Sequence, residues 1–266
     1  MKVFISADIE GITTTANWNE CNTSHASYPL HAGQMTEEVL AACEGAIAAG
    51  ATEIAVKDAH SSGFNIDPTR FPEQVTLIRG LSGCPEYMVE GIDPSFDAAM
   101  FVGYHSAAGR GGNPMAHTIT SVGPVFISIN GRTASEFLLY SLAAAYYSVP
   151  TVFLSGDKTL CEDHVDLHPS LVSVAVKDSL GGAVHCRSAA MMLAEIRAKS
   201  EKALRQNLQT AKIKLPESFD VEVRFKVHTQ AVKASHFPDV RKTGDHTVAF
   251  NRNDYYEVLR TLMWII

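Results

Sequence analysis

Paired cysteines, basic tracts and long apolar runs are all missing from this chain, and each absence closes off a class of protein. Its five cysteines, Cys21, Cys43, Cys84, Cys161 and Cys186, are scattered and odd in number, with no C-x-x-C pair to build a zinc ribbon or a redox centre. Such usage fits a reduced, cytoplasmic compartment. Acidic residues outnumber basic ones, 29 Asp and Glu against 22 Lys and Arg, for a formal charge of −7. With no basic run interleaved with aromatics, no nucleic-acid partner is expected. Met1-Lys2 leads straight into Val3-Phe4-Ile5-Ser6-Ala7-Asp8, too soon charged for a signal segment, and no stretch is apolar enough to span a bilayer, so no membrane partner is expected either. No G-x-G-x-x-G follows the first apolar run, which weakens a dinucleotide-binding reading. Repeats, low-complexity tracts and Gly/Ser linkers are also lacking.

What is present is 266 residues with 46% hydrophobic content, enough for one large domain or two modest ones. Short β-branched runs alternate with helical patterns over the first two-thirds, the signature of an α/β fold with a mostly parallel central sheet flanked by helices. Strands are predicted near Val3 to Ile9, Glu53 to Asp58, Val75 to Arg79, Ala98 to Tyr104, Val125 to Ile129, Thr151 to Leu154 and Val172 to Val176. Between the first two, Val39, Cys43 and Ile47 recur every four residues within a helix over Met35 to Ala49. A second helix is expected over Thr133 to Ser148, with Thr133 as N-cap and Pro150 beyond its end. From about Ser188 the pattern changes to a long helix through Gln209, strands at Val221 to Val227 and Thr247 to Phe250, and a closing helix from Asp254. That suggests an α/β metal-binding domain over 1–185 and a smaller α+β unit over 186–266.

Residues able to do chemistry collect at predicted strand ends. The first strand finishes in Asp8-Ile9-Glu10-Gly11, and on an extended chain Asp8 and Glu10 share a face. Open α/β sheets bind ligands beyond the carboxyl ends of their strands, and two carboxylates forced together there repel unless a cation neutralises them. Two more strands end in Asp58-Ala59-His60 and Tyr104-His105. A strand-end Asp is commonly a cap and a lone His is usually structural; three coincident strand ends weigh against that for the set. Carboxylate with imidazole suits zinc, with manganese or cobalt as substitutes, whereas calcium and magnesium prefer oxygen throughout. The segment from Ser106 to Met115, rich in glycine, reads as a flexible loop delivering His117, an ordinary surface loop being an equal alternative; it lacks the G-K-[ST] ending of a phosphate loop.

Three other features read as bystanders or helpers. His164-Val165-Asp166-Leu167-His168 has zinc-pair spacing but stops at Pro169 without the Glu of the zinc motif, and reads as a solvated helix end. Asp157 reads mainly as a cap for the segment after it. Asp58 reads as a supporting partner for a ligating histidine.

In order along the chain, Ser6-Ala7-Asp8-Ile9-Glu10-Gly11, Asp58-Ala59-His60-Ser61, Gly103-Tyr104-His105, Met115-Ala116-His117-Thr118 and Ser135-Glu136 resemble the motif series of the binuclear zinc D-aminopeptidases of dipeptide transport. The resemblance covers nearly the whole chain, least so its C-terminal part. It implies two zinc ions per subunit bridged by Asp8, with Glu10, His60, His105 and Glu136 completing the ligation and His117 as the catalytic histidine. Glu136 comes from the resemblance alone, since pattern places it only in the first turn of a helix, where a carboxylate suits the dipole.

The resemblance further implies a metallopeptidase that hydrolyses short peptides with an N-terminal D-amino acid, such as D-Ala-D-Ala, by a metal-activated hydroxide. His117 would stabilise the oxyanion or shuttle a proton. It implies, too, a closed homo-oligomeric ring, a homodecamer, with sites facing an inner chamber. The ligand residues alone also suit another binuclear amide hydrolase or a phosphoesterase, and a non-catalytic peptide-binding protein is the alternative of a different class. D-stereospecificity rests wholly on the resemblance.

Overall fold

In the computed structural model, which describes residues 1–163, 165–168 and 170–266, alternating β and α segments build two sheets. Chain order is β1 (Lys2–Ala7), α1 (Tyr28–Ala48), β2 (Glu53–Asp58), β3 (Val75–Ile78), β4 (Ala98–Tyr104), β5 (Pro124–Ile129), β6 (Arg132–Thr133), α2 (Glu136–Tyr146), β7 (Thr151–Asp157) and α3 (Lys158–Asp163). It continues with β8 (Val172–Leu180), β9 (Ala183–Cys186), α4 (Ala189–Leu204), β10 (Phe219–Phe225), α5 (His228–Ala234), β11 (Arg241–Lys242), β12 (Thr247–Arg252) and α6 (Tyr255–Ile265).

The larger sheet runs β3-β2-β1-β4-β7-β8-β9, parallel except for its last pair, β8 and β9. Strands buried on both faces need continuous apolar sequence, which Val3-Phe4-Ile5 and Ala98 to Tyr104 supply; all of these residues are buried. On one face Val3, Ile5 and Val152 pack with Val39 and Cys43 of α1 and Ile196 of α4. From the other face Phe4, Phe101 and Leu154 join Phe137 of α2, Val221 and Val223 of the second sheet, and Leu262 of α6.

That second sheet is antiparallel, in the order β11-β12-β10-β5-β6. Its strands come from two separate stretches of the chain: β5 and β6 precede residue 186, whereas β10 to β12 follow it. Conversely α4 follows residue 186 and packs with the larger sheet. A division of the sequence at 185/186 therefore passes through both layers.

Several element edges differ from the sequence reading. Helix α1 begins at Tyr28 rather than Met35, because Pro29 occupies its first turn, where a missing N–H costs nothing. The helix expected from Thr133 begins at Glu136. Thr133 instead pairs with Ser128 in β6, and Ser135 is the N-cap, accepting a bond from the Leu138 N–H at 3.0 Å. The closing helix expected from Asp254 is α6, with Asp254 as its N-cap, accepting from the Tyr256 N–H at 2.8 Å. Of the spaced pair His164 and His168, His164 and the following Pro169 lie outside the described residues. His168 is buried beside Ser141 and Phe137 rather than on a solvated helix end.

Candidate metal centre

Strand order in the larger sheet reverses at β1, whose neighbours are β2 on one side and β4 on the other. Such a reversal opens a crevice at the carboxyl ends, and Asp8, His60 and His105 all sit there, just beyond β1, β2 and β4. The first strand is shorter than expected. β1 stops at Ala7, and Asp8-Ile9-Glu10-Gly11 turns sharply over β4, with the Asp8 N–H bonded to the Val102 carbonyl (2.9 Å) and the Gly11 N–H to the Gly103 carbonyl (2.8 Å). Asp8 and Glu10 thus converge through a turn, not through strand alternation. Only glycine fits at its tip, since a Cβ on Gly11 would stand 1.8 Å from the Tyr104 carbonyl oxygen.

Two clusters result. His60 Nδ1 lies 3.3 Å from Asp8 Oδ1 and 2.9 Å from Glu10 Oε2. His105 Nε2 lies 3.5 Å from Asp8 Oδ2 and 3.2 Å from Glu136 Oε2, so Asp8 touches both groups. His117 Nε2 is 3.6 Å from Glu136 Oε1, which also accepts the Ile119 N–H at 2.6 Å. Within each of the sets Asp8, Glu10, His60 and His105, His117, Glu136, the donor atoms lie within 4.8 Å of one another. All six residues named from the sequence therefore meet in one place, and His117 stands among the donors.

Each imidazole is set in one tautomer by a backbone carbonyl. A carbonyl can only accept, so the ring nitrogen facing it carries the proton. His60 Nε2 faces Cys21 O at 3.3 Å, His105 Nδ1 faces Ser106 O at 2.9 Å and His117 Nδ1 faces Met115 O at 2.9 Å. In the neutral rings the lone pairs of His60 Nδ1, His105 Nε2 and His117 Nε2 then point at the carboxylates, the orientation a metal requires and acids alone would not.

Electrostatics give the same answer. Burial, reinforced by Glu10, pushes the Asp8 carboxyl up to about 7. Burial opposes ionisation of Glu10 as well, yet His60 holds it well below the usual range, and His60 rises correspondingly because Glu10 and Asp8 outweigh its own desolvation. His105, equally opposed by burial, is raised to about 10 by Glu136 and Asp8, while Glu136 is lowered by His105 and His117 against the effect of its burial. Asp8 Oδ2, Glu10 Oε2 and His105 Nε2 are buried with no hydrogen-bond partner beyond the ring–carboxylate contacts of the cluster itself. Orphaned polar atoms of this kind are rare unless something completes them. With two clusters that mix imidazole and carboxylate donors around a shared carboxylate, the residues fit ions of the zinc class.

Supporting residues only partly match the sequence reading. Asp58 does not touch His60's ring; its carboxylate accepts the N–H groups of Asn65 (2.6 Å) and Ile66 (2.8 Å), and the Asn65 amide in turn reaches the His60 carbonyl at 2.7 Å. It shapes the His60 loop rather than the ring. Asp157 does cap α3, through the Leu160 N–H at 2.9 Å, and also binds the Ser106 N–H and hydroxyl beside His105. The loop before His117, expected to be flexible, is pinned: Asn113 Nδ2 donates to the Glu10 carbonyl at 3.0 Å and the Ala108 N–H to Thr118 Oγ1 at 3.1 Å.

Four neighbours escaped the sequence reading. Lys177, buried on β8, donates to the Glu10 and Thr15 carbonyls at 2.5 Å each, underpinning the Asp8–Gly11 turn. Trp18 sets its ring against His117, centroids 5.2 Å apart. Tyr87 and Ile119 line the cavity of about 360 Å³ that opens over Asp8, His60, His117 and Glu136. A lysine inside an apolar β8 run was the one signal available in the sequence.

Known proteins show the same arrangement of chain. The profile of the D-aminopeptidase family matches residues 1–264. A D-aminopeptidase of Bacillus subtilis (strain 168) is 30% identical over 265 residues, 99% of this chain and 96% of its own. A solved structure described as "Zn-dependent D-aminopeptidase DppA from Bacillus subtilis, a self-compartmentalizing protease" superposes with a TM-score of 0.91 at 30% identity, covering 100% of this chain and 96% of that one. The mixed fold, the crevice chemistry and the full-length match lead to one conclusion: this chain belongs to the D-aminopeptidase family.

Proposed function

We propose that the protein is a zinc-dependent aminopeptidase that releases the N-terminal D-amino acid from short peptides, with two zinc ions per subunit. The observation that carries this reading is the pair of donor clusters sharing Asp8, one closed by Glu10 and His60 and the other by His105 and Glu136. Bound there, zinc supplies Lewis acidity toward a peptide carbonyl and toward water.

The chain's own residues do the rest. Asp8 offers one oxygen to each cluster, and the carbonyl-locked imidazoles present lone pairs without further reorganisation. His117 Nδ1 is committed to the Met115 carbonyl, so Nε2 is free to take a proton at the pocket floor and return it to the leaving amine. Once protonated, the same atom faces developing negative charge on the substrate oxygen. Trp18 holds the ring from its outer side.

Around the site, the reading extends to a cytoplasmic, closed homo-oligomeric ring, a homodecamer with sites facing inward. Five free thiols support the compartment. The self-compartmentalizing description of the Bacillus subtilis structure supports the ring. Among the described residues no helix is long and apolar enough to cross a membrane.

Metal-stripped protein incubated with D-Ala-D-Ala or with L-Ala-L-Ala, before and after zinc is restored, tests the reading through the alanine released. Zinc-restored release from the D-peptide alone is expected. Release from neither, with zinc still bound, would move the search to other amides and to phosphoesters.

A further inference from the structure

A second cavity, of about 260 Å³, lies next to the metal-centre pocket and shares two of its wall residues, Tyr87 and Ile119. Its remaining walls differ in character from the polar pocket beside it. Pro85, Tyr140 of α2, and Leu262 and Met263 of α6 make it apolar. The concavity is open on one side to solvent, with Met263 of its wall 40% exposed, so a side chain can enter it from outside.

The partition between the two cavities is built from strained backbone. Tyr87 has φ of 38° and Ile119 has φ of 67°, a left-handed conformation that a β-branched residue rarely adopts. Ser61, at φ of 51°, lines the polar pocket too. Such strain persists only where surrounding structure enforces it, and it gathers at functional sites. At Ile119 the enforcing contact is visible: its N–H is drawn onto Glu136 Oε1, and the residue lines both the metal-centre pocket and the apolar cavity.

From this juxtaposition we infer that the apolar cavity is a substrate subsite, which receives a bulky aliphatic or aromatic side chain from one of the two residues flanking the scissile bond. The inference rests on the peptidase reading above and refines its substrate class: the favoured peptides carry a leucine-like or phenylalanine-like D-residue, not only D-alanine. A methyl group leaves the cavity unfilled, and apolar contacts that persist into the transition state raise kcat/KM.

The zinc-loaded enzyme is assayed with D-Ala-D-Ala, D-Leu-D-Ala and D-Ala-D-Leu. One leucine peptide is expected to exceed D-Ala-D-Ala in kcat/KM by about tenfold or more, and which one it is assigns the cavity to the N-terminal or the following residue. Met263, 40% exposed, tolerates replacement. Met263→Trp fills the cavity and should lower the leucine-to-alanine ratio of kcat/KM by about tenfold, whereas a general structural defect lowers both values in parallel. Equal kcat/KM for all three peptides, or a ratio unmoved by Met263→Trp, overturns the inference. If no peptide is cleaved at all, the peptidase reading fails instead, and the cavity is read by calorimetric titration of the loaded protein with 3-methylbutylamine. Binding weakened by Met263→Trp keeps the apolar subsite, and no binding, or binding that the variant leaves unchanged, removes it.

Discussion

The rings of His105 and His117 stack with centroids 4.5 Å apart and planes 13° from parallel, both directed at Glu136. His105 is fully buried between Asp8 and Glu136, whereas His117 lies nearer solvent, in ion-pair reach of Glu136 alone among the cluster's carboxylates.

His117→Ala is expected to lower kcat by about 10²- to 10⁴-fold, the usual worth of a positioned acid–base group, while zinc content measured by atomic emission stays at the wild-type level. Since Nε2 also lies within donor range of Glu136, loss of one zinc from the variant would make His117 a ligand and refute its proton-transfer role.

Loading zinc should release protons. In the metal-free chain the His60 imidazole is raised well above its ordinary range and His105 to about 10, in both cases by carboxylates that outweigh burial. His105 is thus protonated at pH 7 and His60 is biased toward its protonated form, whereas a coordinating imidazole must be neutral. Apparent zinc affinity is expected to climb with pH through neutrality and to level as pH approaches 10. Calorimetric titration at pH 7 in buffers of different ionisation enthalpy reads the release directly; heats independent of buffer would sink the idea.

Lys177→Met removes the ammonium that ties the Glu10 and Thr15 carbonyls while keeping the stem's bulk. Outer partners of metal ligands commonly contribute 10- to 100-fold in affinity, so zinc binding should weaken by about that factor in a competition assay with a chromogenic chelator. Unchanged affinity in a folded variant would show that Asn113, which also bonds the Glu10 carbonyl, holds the turn alone.

Gly11→Ala brings a Cβ to 1.8 Å from the Tyr104 carbonyl oxygen, which forces the turn away from β4. Overpacking of this kind costs about 1–3 kcal/mol, and the displaced turn carries Asp8 and Glu10 with it. Lower urea midpoint together with weakened zinc binding is the expected outcome; loss of neither would mean the turn has slack that the close approach conceals.

Much of this architecture could be read from the chain. Continuous apolar runs announced the parallel strands, and the donors Asp8, His60 and His105 fell at their ends because strand termini are where open sheets bind ligands. Glu136 could not be found that way. Its backbone begins a helix, which alone explains an acid there, and only the three-dimensional return of α2 brings it to His105. Thr133 misled as a cap because Asn130-Gly131 is the turn of a β-hairpin whose second strand is two residues long, shorter than any periodicity can reveal. Tyr87 and Ile119 were invisible for a related reason: their importance lies in what distant segments bring against them.

The interleaving of the two sheets gives the donors a second consequence. Asp8, Glu10, His60 and His105 hang from the larger sheet, whereas His117 and Glu136 belong to the stretch of chain that leaves it for β5 and β6 and comes back through α2. Whatever grips both sets acts as a rivet across the seam, so its binding energy is also cohesion between layers. Stripping the ions should leave each sheet intact but raise protease nicking between residues 106 and 123, the strip that crosses the seam. In a cell, metal supply would then govern how long the molecule survives as well as how fast it works.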